Sequence, residues 1–183
     1  HARLGIELSE SSGYGKAPVH LVMCLGEIAR ARGDLTLAFS LYERARALQI
    51  QRGGRPYASS LNLAIVCLLR GEYGRAAQCA AEAAEVVRGS LAALSALLRM
   101  PGAAQDGDSA RWDELWSQVC AERDHHAFAQ PDFALVAEHV GLAAIEHGAT
   151  PRGHAVLRFS EEVYGRIGRP ADAERVAAIL AGT

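Results

Sequence analysis

Lysine is almost absent from this chain of 183 residues: Lys16 is its only lysine, and the other eighteen basic residues are arginines. We interpret this bias as the codon usage of a GC-rich bacterial genome, although selection of arginine for bidentate contacts with carboxylates or phosphates is an alternative. Neither sign of charge dominates, because the formal net charge is −2. A chain so near neutrality has no general attraction to nucleic acid or to an anionic membrane, and we expect neither as a partner.

Long apolar runs and paired cysteines are also missing. The longest apolar run, Leu63 to Leu69, is far shorter than the roughly 20 residues that a membrane span needs. The four cysteines are widely spaced and form no C-x-x-C pair. This spacing favours buried free thiols in a reducing cytoplasm over a disulfide framework or a metal knuckle. We therefore expect a cytoplasmic protein without a metal or a cofactor.

No arrangement of residues predicts catalysis. Glu122 and His125 have the spacing found in di-iron bundles, but the second motif that such a site needs is missing. The run 124–126 with Cys120 could form part of a metal site, although a solvated helix end is the better interpretation. No glycine-rich strand–helix turn is present to hold phosphate. We expect that the chain is not an enzyme.

What the chain does contain is a phrase that recurs at a fixed spacing. Each copy begins with leucine or valine, continues with a small residue, and has a glycine eight positions after its first residue. The copies begin at Leu25, Leu63 and Val140. The first two copies are 38 residues apart, and the third follows 77 residues further on. A repeat of this period is typical of an all-α helical solenoid, in which each helix pair buries its apolar face on its neighbours.

Prolines and glycines divide the chain into helix pairs within one domain of about 9–10 helices. The third full repeat is irregular: we expect its first helix to end at residue 100, a long loop over 101–109, and Ser109 as the N-cap of the second helix. The predicted units are a half repeat at 1–12, repeats at 17–52, 55–88, 89–127 (degenerate) and 131–168, and a capping helix at 170–181.

The segment from Cys24 to Leu35, with Ala38, Tyr42 and Ala45, resembles the tetratricopeptide repeat (TPR) family. The resemblance covers the chain from about residue 17 onward. It implies antiparallel helix pairs in a right-handed superhelix and a protein-binding scaffold. The style of the repeats is also similar to the C-terminal helical arrays of large bacterial signalling proteins, namely kinases, nucleotide cyclases and STAND-type ATPases. Residues 2–11 resemble the second helix of a repeat whose first helix is missing, so we expect the chain to be a portion of a longer protein.

In that family the first helix of each pair lines a concave groove that meets a partner peptide. Asn62 is expected to bond a peptide backbone or, alternatively, to satisfy a neighbouring helix end. The basic residues of a carboxylate clamp are incomplete, so the mostly apolar groove favours an amphipathic helix or an extended segment. The resemblance implies these groove residues: His20, Met23, Glu27 and Arg30 from the first full repeat, Leu61, Asn62 and Ile65 from the second, and Glu138, His139 and Leu142 from the fourth.

Three functions follow from these patterns. The predicted one is a non-catalytic scaffold that binds a peptide or helix of another protein in its groove. The alternative is a regulatory or sensor array of a larger bacterial signalling protein, which acts through an intramolecular contact or a small ligand. A self-assembling rod remains a third interpretation, because solenoid ends expose apolar faces.

Overall fold

The computed structural model describes residues 18–122 and 131–182, which form nine α-helices and no strand. Consecutive helices pack in pairs, α1 on α2 through α7 on α8, and α9 packs on α8, so the predicted all-α solenoid is confirmed. The half repeat expected at 1–12 lies outside the described residues. The helices are α1 Val19–Ala31, α2 Leu35–Gln51, α3 Tyr57–Leu69, α4 Tyr73–Ala84, α5 Ser90–Gln105, α6 Ser109–Ala121, α7 Pro131–Glu146, α8 Thr150–Arg166 and α9 Pro170–Gly182.

The third helix pair differs from the prediction. The loop expected over 101–109 does not form, because α5 continues through Pro101 to Gln105 and three residues separate it from α6. Proline removes one backbone donor from a helix interior. Here its ring is buried with the rest of α5, so packing compensates for the missing donor. Gly102 also packs closely, since a Cβ there would lie 3.6 Å from the Cβ of Ala77 on α4.

The prediction of a long loop overlooked a sequence signal for the helix boundary, the pair Gly107-Asp108, which repeats the pair Gly33-Asp34. Gly33 and Gly107 both have left-handed backbone angles, with φ of 78° and 67°. Each aspartate then caps the next helix: Asp34 accepts from the N–H of Leu37 and Asp108 from the N–H of Arg111, both at 2.9 Å. The N-cap is therefore Asp108, and the expectation of Ser109 was wrong by one residue.

The first helices of the second, third and fourth pairs are buried nearly all round. Nine residues are buried in each of α3, α5 and α7, whereas α2, α4 and α6 bury four, three and three. A helix that is apolar on every side is stable only when other elements cover it. Accordingly, α5 packs on α7, and α3 contacts both. The array curves tightly enough for the first helices of the second and fourth pairs to meet. None of the described helices is long and apolar enough to cross a membrane.

The small residue of the repeat phrase lies where two helices of a pair approach most closely. A Cβ on Gly26 in α1 would lie 2.6 Å from Cε1 of Tyr42 in α2. A Cβ on Gly141 in α7 would lie 2.7 Å from Cγ of Leu157 in α8. Tyr42 and Leu157 are both fully buried, so neither can move aside freely. The recurring small residue is therefore a steric requirement of the helix crossing.

Substitution of Gly26 by alanine tests this requirement. We expect Gly26→Ala to lower the free energy of unfolding by about 1–3 kcal/mol, because the added methyl overpacks a filled core. Urea unfolding followed by circular dichroism measures the change.

Gly74→Ala is the matched control, since a Cβ on Gly74 meets nothing within 4 Å. In α4 the added Cβ restricts the unfolded chain, so this variant is expected to be as stable as the wild type or up to about 1 kcal/mol more stable. If Gly26→Ala unfolded at the same urea concentration as Gly74→Ala, the close approach to Tyr42 would not be a constraint.

The capping assignment makes a second prediction. Asp108→Ala removes the side-chain acceptor for the Arg111 N–H, and we expect it to cost about 1 kcal/mol of stability. Ser109→Ala is the control: Ser109 is the exposed first residue of α6, and its loss is expected to change stability by less than about 0.5 kcal/mol. Thermal unfolding of both variants measures the two losses of stability. A larger loss of stability in Ser109→Ala than in Asp108→Ala would contradict the assignment of Asp108 as the N-cap.

Candidate functional site

A cleft of about 620 Å³ lies between the first helix pair and the last. The ends of α1, α3 and α8 and the starts of α2, α7 and α9 form its walls. The tight curvature of the array creates it, because it brings the start of α7 back to the end of α1. The residues that line the cleft are Glu27, Arg30, Ala31, Gly33, Leu35, Leu69, Pro131, Asp132, Leu135, His139, Tyr164, Arg169, Asp172 and Arg175.

A bidentate ion pair joins the two sides of this cleft. Arg30 of α1 donates from Nη1 to Oδ1 of Asp132 at 2.8 Å and from Nη2 to Oδ2 at 3.1 Å. Paired charge-assisted hydrogen bonds of this kind fix geometry more strongly than a single contact. The Arg30 side chain is only 13% exposed. Burial raises the pKa of the adjacent Tyr42 hydroxyl to about 12, although the Arg30 charge acts in the opposite direction.

A second charged cluster connects α7, α8 and α9. Glu138 is buried, and its Oε2 accepts hydrogen bonds from the Tyr164 hydroxyl at 3.1 Å and from Nη2 of Arg175 at 3.0 Å. Nη1 of Arg175 donates to the other oxygen of Glu138, and Nη2 also donates to Asp172 at 2.9 Å. Burial, with the Glu138 charge as a smaller cause, raises the pKa of Tyr164 to about 12. Glu138 thus links α7 to α8 through Tyr164 and to α9 through Arg175.

His139 follows Glu138 and lies half-buried in the cleft wall. Burial lowers its pKa from the ordinary 6.5; the Glu138 charge opposes this shift and the Arg175 charge adds to it. The imidazole is therefore neutral at pH 7 and offers one donor and one acceptor without a net charge.

The floor of the cleft is apolar and its rim is charged. Leu35, Leu69 and Leu135 are half-buried side chains that face it. At the rim, Nε of Arg169 lies 2.7 Å from Oδ2 of Asp172, and its guanidinium lies 5.6 Å from the Tyr164 ring centre. Such a combination holds an apolar side chain while fixing the orientation of its polar neighbours. Among residues 18–122 and 131–182 no group of three His, Cys, Asp or Glu side chains could hold a metal ion.

Three of the predicted groove residues come together in this cleft. Glu27 and Arg30 from the first full repeat and His139 from the fourth all line it. His20 is exposed and Met23 packs among the residues between α1 and α2, and neither lines the cleft.

The remaining groove residues lie elsewhere. Leu61 and Ile65 are 4% and 2% exposed, inside the main core, and Leu142 packs against the same core. The physical reason is that α5 and α7 cover the face of α3 on which a groove was expected. Nδ2 of Asn62 donates to the Ala58 carbonyl of its own helix at 3.0 Å, which neither interpretation of this residue anticipated.

Sequence reasoning missed the contribution of α9 to the cleft. Arg169, Asp172 and Arg175 recur at intervals of three residues at the start of this helix, and that spacing was the available signal. The pairing of Arg30 with Asp132 carried no such signal, because it depends on how far the whole array curves.

Comparison with known families supports the repeat assignment. The family model described as tetratricopeptide repeat matches residues 19–89. No curated protein matches the chain. The matched segment corresponds to α1 through α4, and the later pairs repeat its helix–glycine turn–helix geometry, with Gly107 and Gly148 at φ of 67° and 79°. Over α1 through α4 the chain is thus similar to the tetratricopeptide repeat family.

Proposed function

We propose that this chain is a non-catalytic interaction module that holds a segment of a partner protein in the cleft between its first and last helix pairs. Tetratricopeptide repeats generally mediate protein–protein interactions. The observation that carries the proposal is the convergence of Glu27, Arg30 and His139, from helices more than 100 residues apart in sequence, on one cleft with an apolar floor.

The charges that line the cleft indicate which kind of partner segment can bind there. Three arginines and three carboxylates line the rim, so the cleft has no excess of either sign. Ion pairs engage most of them, whereas the Glu27 carboxylate is exposed and has no ion pair in the described part of the chain. An amphipathic helix or extended segment that places an apolar side chain over Leu69 and Leu135 and a basic group near Glu27 satisfies this arrangement.

A second candidate is a regulatory array that takes a small ligand in the same cleft. The volume of about 620 Å³ lies within the roughly 300–1,000 Å³ that small-molecule pockets occupy. A ligand there would contact both sides of the Arg30–Asp132 pair and so change the coupling between the two ends of the array. This candidate corresponds to the sensor alternative drawn from the repeat style.

The first experiment blocks the cleft without disturbing the core. Ala31 is an exposed residue of the cleft wall, so Ala31→Trp fills the space, and Glu27→Arg reverses a rim charge that has no ion pair with any described residue. Affinity capture from a lysate of the encoding organism, with quantitative mass spectrometry, measures the retained proteins. We expect a partner that the wild type retains to fall by at least about tenfold with the double variant, a loss of about 1.4 kcal/mol.

Ala110→Trp with Glu174→Arg is the matched control, because both positions are exposed and neither lines the cleft. A true partner is retained by this control as well as by the wild type. Hydrogen exchange with the captured partner is expected to show added protection at the end of α1 and the start of α7. Equal retention by all three chains would exclude the cleft as the binding site.

The small-ligand candidate predicts a different result. A soluble metabolite that binds the cleft is expected to raise the melting temperature of the wild type in proportion to the logarithm of its concentration. Ala31→Trp is expected to abolish this shift, and Ala110→Trp to preserve it. A shift of the same size in both variants would place the ligand elsewhere.

A further inference from the structure

A second concave surface lies at the edge of the array, away from the cleft. It is an opening of about 350 Å³ between the start of α3, the residues after α4 and the start of α5. Arg55, Tyr57, Val86, Val87, Arg88 and Leu91 line it, and none of them lines the cleft. We name these six residues the edge pocket.

The edge pocket is lined mainly by apolar side chains, and two of them are exposed to solvent. Tyr57 and Leu91 are 43% and 36% exposed, and they are two of the few large apolar side chains so exposed in the described part of the chain. Val86 is half-buried and Val87 is buried, so the floor between the two exposed side chains is also apolar. A side chain of similar size from another molecule would bury Tyr57 and Leu91 and gain about 25 cal/mol per Å² of apolar surface removed from water.

Within the described residues, the two arginines of the edge pocket have no carboxylate partner, unlike most of the arginines in that part of the chain. Arg88 donates from Nη1 to the Val87 carbonyl at 2.7 Å, and its contact with Glu85 is to the backbone carbonyl. Arg55 forms no ion pair with any residue of 18–122 or 131–182. Along residues 51–57 and 84–91 there are three arginines and one carboxylate, Glu85, which forms no ion pair within the described residues. The nearest acidic residue along α4, Glu82, already pairs with Arg46 at 2.8 Å.

From this arrangement we infer that the edge pocket binds a segment of a partner protein in which an apolar side chain stands between acidic residues. The apolar side chain fills the space between Tyr57 and Leu91, and the flanking carboxylates reach Arg55 and Arg88. Bidentate geometry makes arginine well suited to such carboxylates. This inference does not rest on the function proposed for the cleft, because the two surfaces share no residue.

Short defined peptides test the inference directly. The probe is acetyl-Glu-Phe-Glu-amide, titrated into the ¹⁵N-labelled 183-residue chain and followed by amide chemical shifts. We expect saturable shifts at residues 55–57 and 86–91. Acetyl-Gln-Phe-Gln-amide keeps the shape and removes the charge, and we expect it to bind about tenfold more weakly. Acetyl-Glu-Ala-Glu-amide removes the apolar group, and its binding is expected to be weaker by a similar factor.

Charge reversal in the protein gives the complementary test. Arg55→Glu removes no contact that the structure records, so it is expected to fold and to weaken binding of the acidic probe several-fold; adding Arg88→Glu brings the loss to at least about tenfold. Arg158→Glu is the matched control, since Arg158 is exposed on α8, away from the edge pocket.

Several results would overturn the inference: no saturable binding, shifts confined to other residues, equal affinity for the acidic and neutral peptides, or an equal loss in Arg158→Glu. Analytical ultracentrifugation tests whether a second copy of this chain binds the edge pocket instead. If the wild type dimerises and Arg55→Glu does not, the edge pocket binds a second copy of this chain and the partner-segment assignment is wrong.

Discussion

Three helices that are buried nearly all round determine the shape of this protein. Because α3, α5 and α7 are apolar on nearly every side, each must be covered by other elements, and α4, α6 and α8 alone cover only one side. The array meets this requirement by curving until α5 packs on α7 and α3 touches both. The same curvature brings Asp132 to Arg30 and encloses the cleft. The candidate site is therefore a product of core burial, even though six of the fourteen residues that line it are charged.

The helix pairs and their turns could be predicted from sequence because they depend on local chemistry. A glycine in the left-handed region followed by a capping aspartate ends one helix and begins the next, and Gly33-Asp34 shows this pattern plainly. The same pattern at Gly107-Asp108 was outweighed by Pro101, which a local rule treats as a helix stop. The core packing around α5 overrides that rule.

The candidate site was less accessible to sequence reasoning, for a physical reason. Family positions identify which residues of a first helix face inward, but they do not say whether inward means a groove or the core. Leu61 and Ile65 face inward and are buried by the chain itself, whereas Glu27 and His139 face inward and reach the cleft. The difference depends on the angle between successive helix pairs, and many contacts along the array determine that angle together.

The Arg30–Asp132 pair has a further consequence for how the array comes apart. Solenoids are held mainly by contacts between neighbours, which form early in folding, and their terminal units fray independently of the rest. An ion pair between residues 102 positions apart forms only after the intervening helices have stacked. The first helix pair is thereby tied to the fourth, so detachment of the first pair has to break this contact with α7 as well as its contacts with α3.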